Sequence, residues 1–282
     1  MPLRVDAARR RPDLRRRRRA AAGRTPLVPV HLHRPCRCRS AHLEELKQTR
    51  FPDWRLFLTP VSGQWANATL CGPQARAVMR ALGTDIDLSA QALPFMSHAD
   101  GTVAGLPARV VRVSFTGELS FEVNVAPRDL ERLWHAVLEA GAPHGIAPIG
   151  SEANHVLRVE KGFLSLGHEV DGTVDPYDLG LGWLMSTQKA DFIGKRSVAL
   201  RRAGGAVRRE LVGLWPEPDA ALPEGAPLTP GGRRQASEGF VTACVRSVVQ
   251  NRWVGLALLE NGHARHGETV HVRVEDTVMP AR

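Results

Sequence analysis

Residues 114–122 carry the residue types in this chain that are best suited to binding chemistry. Their sequence is Ser-Phe-Thr-Gly-Glu-Leu-Ser-Phe-Glu, and Thr116-Gly117 interrupts the apolar run before them. Apolar residues at 121, 123 and 125 then alternate with Glu122 and Asn124. This alternation predicts a strand whose one face is apolar while the other presents Glu122. Such a carboxylate either accepts hydrogen bonds from a nitrogen-rich ring in a cavity or lies on a solvated strand face, and the pattern leaves both open.

The elements that must position this carboxylate predict an α+β fold. Strands are expected at 54–59, 66–71 and 109–115, where apolar and β-branched residues lie between turn signals. Helices are expected after Pro127, ending at Gly141, and at 151–161 with Ser151 as the N-cap. Short strands mixed with helices in this order favour an antiparallel sheet with flanking helices.

The character of the sequence changes after Gly204-Gly205. Strands separated by Pro and Gly turns are expected at 210–215, 239–248, 254–259 and 269–274, with no helical period between them. We therefore expect a small C-terminal β-barrel or jelly-roll-like domain, a strand or two short of closure. The expected domains are an Arg-rich tail at 1–40, an α+β domain at 41–205 and the barrel-like domain at 206–282.

The net charge of +9 belongs to the N-terminal segment. Residues 1–40 hold thirteen arginines and two aspartates, including five consecutive arginines at 15–19, and the remaining 242 residues carry a net charge of −2. Three interpretations stay open: translation in a wrong frame, a genuine disordered tail, or an arm that binds nucleic acid. Nucleic-acid binding is disfavoured because the segment has no aromatic residues for base stacking.

The cysteines and histidines do not predict a metal or disulfide site. The chain has four cysteines and no secretory signal, which indicates a reducing cytoplasm, and no apolar run reaches the ~20 residues of a membrane span. A cluster near the tail comprises His31, His33, Cys36, Cys38 and His42, but its Cys-x-Cys spacing is atypical of structural zinc. No metal is expected, and no phosphate-binding or dinucleotide-binding glycine motif is present.

Four motifs in order resemble the aminomethyltransferase (glycine-cleavage T-protein) superfamily. They are 114–122, Leu-Cys-Gly-Pro-Gln-Ala at 70–75, Leu-Arg-Val-Glu-Lys-Gly at 157–162 and Asp-Phe-Ile-Gly-Lys at 191–195. Residues 171–180, followed by Trp183, are similar to the C-terminal half of the sarcosine oxidase alpha subunit. The resemblance covers roughly residues 42–282.

The resemblance implies a folate site. Glu122 would bind the pterin, and Phe115 would pack on the ring, although the family often has Tyr there and Gly where this chain has Ser120. Arg158 is expected either to contact the ligand or to form a salt bridge with Glu118, Glu122 or Glu160. Two further aromatic residues, Tyr177 and Trp183, are expected to line the pocket.

The resemblance also implies a function and partners. In such oxidases a folate nitrogen takes up the one-carbon (methylene) unit that sarcosine loses, while the flavin lies on other subunits. The expected cofactor is tetrahydrofolate, and the expected partners are the other sarcosine oxidase subunits. The alternatives are a free-standing aminomethyltransferase relative and a non-catalytic folate-binding or assembly remnant. No residue takes the role of the family's catalytic aspartate, because neither Asp6 nor Asp13 lies in a matching motif. We therefore expect a fragment that lacks the N-terminal part of the domain.

Overall fold

Two compact units make up the computed structural model, which describes residues 36–230 and 237–282, with side chains from residue 40 onward. The first unit runs to residue 114 and continues through 118–147, and the second contains 115–117 and 148–282. The domain limits at 40/41 and 205/206 remain a prediction. The helix α1, Cys36–Thr49, begins inside the expected tail, whose residues 1–35 lie outside the described part.

The first unit is an antiparallel sheet with two helices on its apolar face. Its strands are β1 (Ala66–Cys71), β2 (Ser97–Val103), β3 (Leu106–Arg112) and β4 (Ser120–Val125). They lie in the order β1-β4-β3-β2. The helices are α2 (Ala75–Ala81) and α3 (Leu130–Gly141). Val78 and Met79 of α2 and Leu133 of α3 pack against Phe121 and Val123 of β4 in one core. Burying this apolar area is the main stabilising contribution to the unit.

The second unit contains two helices and a six-stranded antiparallel sheet. The helices are α4 (Ser151–Glu160) and α5 (Lys195–Ala203). The strands are β5 (Arg209–Leu214), β6 (Pro227–Thr229), β7 (Gly239–Ser247), β8 (Arg252–Glu260), β9 (Val270–Val274) and β10 (Thr277–Ala281). They lie in the order β10-β9-β6-β7-β8-β5. Val159 of α4 packs on Ala243 and Val254 of the sheet.

The two outer strands of this sheet meet at one end. The Trp215 N–H, just after β5, donates to the Arg282 oxygen at 2.7 Å, and the Arg282 N–H donates back at 2.9 Å. These two hydrogen bonds join the opposite edges of the sheet, which curls into a barrel-like form. The strand at one of these edges, β10, was not predicted from the sequence. The predicted α+β class with a barrel-like C-terminal part is confirmed.

Two local expectations were wrong. Residues 54–59 form no strand, because the described chain offers them no neighbouring strand. The N-cap of α4 is Gly150 rather than Ser151, and no side chain caps this end. In the described part of the chain, no helix is long and apolar enough to cross a membrane.

Candidate functional site

Glu122 lies in the middle of β4, on the polar face of the first sheet. Its backbone stands opposite Thr69 of β1 and Val111 of β3. Its neighbours Phe121 and Val123 are almost fully buried on the other face. The period-two alternation thus places this carboxylate away from the apolar core, as the sequence predicted.

The carboxylate of Glu122 is half-buried and has no partner among the residues that the structure describes. Burial raises the pKa of Glu122 above its ordinary value of 4.5. In residues 36–230 and 237–282, no hydrogen bond or ion pair reaches this side chain. A partly desolvated carboxylate without a partner is costly for folding, so its acceptor oxygens suit donors supplied by a ligand.

A ladder of polar side chains crosses the same face, and the sequence analysis missed it. The Asn67 amide donates to Asn124 Oδ1 at 3.1 Å, and the Thr69 hydroxyl donates to Asn67 Oδ1 at 2.9 Å. The Arg109 guanidinium forms two hydrogen bonds with Asp100, at 2.7 and 2.8 Å. Period-two patterning on β1 was the available signal, but the pairing of β1 with β4 was needed to bring these groups together.

The Thr-Gly turn that precedes β4 belongs to the second unit, where the Lys161 side chain passes close to it. Gly117 has φ +83°, and a Cβ atom on it would lie 2.3 Å from Lys161 Cγ. The turn therefore requires glycine both for its backbone conformation and for the close passage of the Lys161 side chain.

Gly117→Ala is expected to lower the free energy of unfolding by about 2–4 kcal/mol, because left-handed strain and a steric clash add. The control Gly225→Ala has φ +79° with open space around its Cβ, and we expect it to cost about 1 kcal/mol. Urea unfolding of both variants measures the difference. The double variant Gly117→Ala/Lys161→Ala should recover the excess, and equal costs for Gly117→Ala and Gly225→Ala would contradict a clash.

Arg158 is fully buried in the second unit and forms an ion pair. Its Nη1 donates to Glu169 Oε2 at 2.7 Å and to the Phe163 oxygen at 3.2 Å. Glu169 is equally buried, and its other oxygen accepts from the Thr242 hydroxyl at 2.9 Å. Of the two roles left open for Arg158, the structure shows the structural pairing, but with Glu169 rather than Glu118, Glu122 or Glu160. A ligand contact stays a prediction.

The three predicted aromatic residues all reach the surface of the second unit. Phe115 is 40% exposed, Tyr177 is 39% exposed and Trp183 is 71% exposed. None of them is a core residue, so their surfaces are open to a ligand or partner. Whether they contact a folate stays a prediction.

Residues 171–180 are fixed by buried carboxylates. Asp175 and Asp178 are 4% and 0% exposed. The Arg208 guanidinium donates to both oxygens of Asp178. Asp178 Oδ2 also accepts the Asp175 N–H at 2.8 Å. Charge pairing therefore gives this loop a defined shape without regular secondary structure.

A cavity of about 630 Å³ opens beside α4 in the second unit. Two histidines line it: His168 Nδ1 is 3.5 Å and His155 Nε2 is 3.9 Å from Glu224 Oε1. Their ring centroids are 5.6 Å apart. The sequence pattern did not indicate that α4 and the loops around residues 168 and 224 pack together.

His155 is expected to make the protein less stable as the pH falls below about 6.5. Burial, then Arg158 and His168, lower the pKa of His155 below its ordinary value of 6.5, against the opposing effect of Glu224 and Glu152. The unfolded chain then binds more protons, so stability is lost as the pH falls through this range. Urea unfolding at pH 7.5 and 5.5 should show a smaller loss for His155→Gln than for wild type. His135→Gln, on the exposed face of α3, is the control, and identical losses for all three proteins would contradict the prediction.

The described residues contain no group of three His, Cys, Asp or Glu side chains placed to hold a metal ion. The cluster considered near the tail lies largely outside them. His31 and His33 are not described, and the side chains of Cys36 and Cys38 are not described either.

Comparison with protein-family models matches both parts of the chain. Residues 36–189 match the GCVT N-terminal domain, and residues 209–282 match the glycine cleavage T-protein C-terminal barrel domain. The chain belongs to the glycine cleavage T-protein family. This T-protein membership agrees with the fold, in which an α+β part is followed by a curled antiparallel sheet.

Relatives of this T-protein-family chain include oxidase subunits and aminomethyltransferases. Sarcosine oxidase subunit alpha of Corynebacterium sp. (strain P-1) is 40% identical over 244 residues, 84% of this chain and 25% of the relative. The Rhizobium meliloti (strain 1021) subunit is 36% identical over 82% of this chain and 24% of its own length. An aminomethyltransferase of Streptomyces avermitilis is 37% identical over 70% of this chain and 52% of its own length. The chain spans about a quarter of the oxidase subunits.

A solved structure shows the same fold. The crystal structure of glycine cleavage system aminomethyltransferase T from Bartonella henselae matches with a TM-score of 0.69 at 21% identity. The match covers 88% of this chain and 64% of that chain.

Proposed function

We propose that this chain binds a reduced folate through Glu122 and serves one-carbon transfer as the T-protein-like module of a sarcosine oxidase alpha-type subunit. The observation that carries the proposal is the half-buried Glu122 carboxylate, which has a raised pKa and no partner among the described residues. An ionised carboxylate only accepts hydrogen bonds, and the N–H groups of a pterin are donors. Membership of the T-protein family supports this ligand class.

The chain's own residues would bind and orient the ligand. Glu122 would hold the ring by charge-assisted hydrogen bonds, and the ladder from Thr69 to Asn67 and Asn124 would keep the strand face rigid beside it. Bound tetrahydrofolate would supply the nitrogen that accepts the one-carbon unit. Positioning of the two reactants is the contribution expected of such a site. Proton transfer is assigned to no residue.

We infer that the chain works beside other polypeptide, as a piece of a larger oxidase that carries the flavin elsewhere. Apolar side chains exposed before β1 support this inference. Trp54 and Phe57 are 58% and 89% exposed, although residues 54–59 have the composition of a strand. A surface of this kind is typical of one that another chain covers. A reducing cytoplasm remains the expected compartment, and within the described residues Cys71 and Cys244 form no disulfide.

Titration with 5-formyltetrahydrofolate, a stable reduced folate, tests the binding proposal. Isothermal calorimetry is expected to show saturable binding, whereas p-aminobenzoylglutamate, which lacks the pterin, should bind at least tenfold more weakly. Binding without methylene transfer in the presence of the other oxidase subunits would favour the non-catalytic folate-binding remnant. The absence of any saturable binding would overturn the proposal.

A further inference from the structure

Another cavity of the second unit, of about 320 Å³, opens where the end of α4 meets β5 and β8. Its floor is formed at Gly213, which lies opposite Leu256 in the pairing of these strands. A Cβ atom placed on Gly213 would meet nothing within 4 Å. Leu211 packs in the cluster that contains Val159 of α4, so period-two alternation turns Gly213 towards the helix as well. The missing side chain therefore leaves an open space between strand and helix, with apolar residues around it.

Glu160, the last residue of α4, lines this cavity with a carboxylate that has no partner in the described part of the chain. Its Oε1 atom is buried and accepts no hydrogen bond. Within residues 36–230 and 237–282, no hydrogen bond or ion pair reaches its other oxygen either. A buried acceptor without a donor costs free energy, and nearly all such atoms in folded proteins are satisfied. The carboxylate therefore suits a donor that a ligand brings, and an ammonium group is a strong donor of this kind.

Lys161, the next residue, lines the same cavity with the opposite charge. Its Cγ and Cδ atoms lie 2.3 and 2.5 Å from where a Cβ atom on Gly117 would stand, so the stem of the side chain rests on that turn. Among the residues that the structure describes, Lys161 forms no ion pair with any acid, Glu160 included. The cavity thus presents one negative and one positive charge that do not neutralise each other. A ligand that carries both charges satisfies both side chains and brings no net charge into the cavity.

An aromatic side chain forms one wall of the cavity. Trp215 follows β5 and is 50% exposed. The guanidinium carbon of Arg252 lies 4.7 Å from the centroid of the Trp215 ring, within the range of a cation–π contact. The Trp215 backbone is fixed by its two hydrogen bonds to Arg282. Little side-chain entropy is therefore lost when an apolar group packs on the rest of this ring.

We propose that this cavity binds a small zwitterionic amino acid with an apolar side chain. Glu160 accepts hydrogen bonds from the ammonium group of the ligand, and Lys161 donates to its carboxylate. The apolar side chain fills the space at Gly213 beside Trp215. The site lies wholly within the second unit and shares no residue with the proposed folate site at Glu122. The inference therefore goes beyond the proposed function and does not depend on it.

L-Leucine and analogues that each lack one of its groups test the site. The analogue 4-methylpentanoate lacks the ammonium group, 3-methylbutylamine lacks the carboxylate, and glycine lacks the apolar side chain. Titration of the whole chain, followed by saturation-transfer NMR, is expected to give a dissociation constant of about 0.1–10 mM for L-leucine, because contacts between exposed charges are individually weak. Each analogue should bind at least about fivefold more weakly. An analogue that binds as tightly as L-leucine would overturn the proposal, because the group that it lacks would then have no partner in the cavity.

Gly213→Val separates loss of the site from loss of the fold. Gly213 lies within β5 without a positive φ and with open space around it, so a β-branched residue fits the strand. Urea unfolding should show that the variant is at least as stable as wild type, because the substitution reduces the freedom of the unfolded chain. The valine side chain occupies the floor of the cavity and should weaken the binding of L-leucine at least about tenfold.

Two further variants test the charges. Glu160→Gln should weaken the binding of L-leucine about five- to tenfold and remove its advantage over 4-methylpentanoate. Lys161→Met should likewise remove its advantage over 3-methylbutylamine. The matched control is Glu152→Gln, which removes an exposed carboxylate from the first turn of the same helix and should change the affinity by less than about twofold. The absence of saturable L-leucine binding, or binding that Gly213→Val and Glu160→Gln leave unchanged, would overturn the site and leave the folate proposal as it stands.

Discussion

Glu122→Ala is expected to weaken the binding of 5-formyltetrahydrofolate by about 10- to 100-fold. A hydrogen bond to a charged group contributes about 1.5–3 kcal/mol, and in the described part of the chain no side chain competes for the oxygens of this carboxylate. Calorimetric titration of wild type and variant measures the effect. Glu131→Ala, which removes an exposed carboxylate in the first turn of α3, is the matched control and should leave the affinity unchanged.

The same carboxylate gives a pH signature. Because burial raises the pKa of Glu122, protonation should begin to weaken folate binding at a higher pH than for an ordinary glutamate. Glu122→Gln should remove this pH dependence of binding.

Glu122→Gln should also be slightly more stable than wild type at pH 7, by no more than about 1 kcal/mol, since water screens the half-exposed side chain. The stability difference should vanish as the pH falls through the raised pKa, because the folded state binds the extra proton. Wild-type binding with the affinity of Glu122→Ala would show that this carboxylate does not face the ligand.

Arg158→Met is expected to lower the free energy of unfolding by about 3–5 kcal/mol. The substitution leaves Glu169 charged, fully buried and without its cation, which is the costly way to break a buried ion pair. Urea or thermal unfolding measures the loss. The matched control is Arg109→Met, which breaks an ion pair whose Asp100 side chain is 60% exposed and should cost less than about 1 kcal/mol.

The double variant Arg158→Met/Glu169→Leu tests the same ion pair by removing both of its charges. It should recover part of the loss, because no buried charge remains unpaired. Recovery should be incomplete, since the Ser165 N–H and the Thr242 hydroxyl both donate to Glu169 and would lose their acceptor. A loss for Arg158→Met no larger than that for Arg109→Met would show that the pair is not what stabilises this region.

Local sequence patterns were sufficient to predict features that depend on a single helix or strand, such as the two faces of β4 and the ends of α3. The alternation at 121–125 placed Glu122 opposite the core, because successive side chains of a strand must point to opposite faces. Pro127 and Gly141 bracketed α3 correctly, with the helix proper beginning at Leu130, because its start and stop signals are local. The same reasoning failed at 54–59, where strand composition is present but the described chain provides no neighbouring strand.

Local patterns did not predict which side chains from separate elements contact each other. The sequence left Arg158 either to contact the ligand or to pair with a glutamate of a familiar motif, and the pair that it forms is with Glu169, eleven residues along, in a turn without a periodic pattern. The contact of the Arg202 guanidinium with the Tyr177 ring depends on α5, a helix that no pattern in the sequence indicated. His155, His168 and Glu224 likewise meet only because α4 and two loops pack together.

The sequence by itself determined the family, the α+β class with its barrel-like end, and the strand face on which Glu122 lies. These features depend on residue spacing and on short motifs, which can be recognised in the sequence without knowing the tertiary contacts. Only the tertiary structure decided that Glu122 has no partner in the described residues, that Arg158 is buried against Glu169, and that Arg202 covers Tyr177. Burial and pairing depend on which surfaces the fold brings together, and a one-dimensional pattern does not specify them.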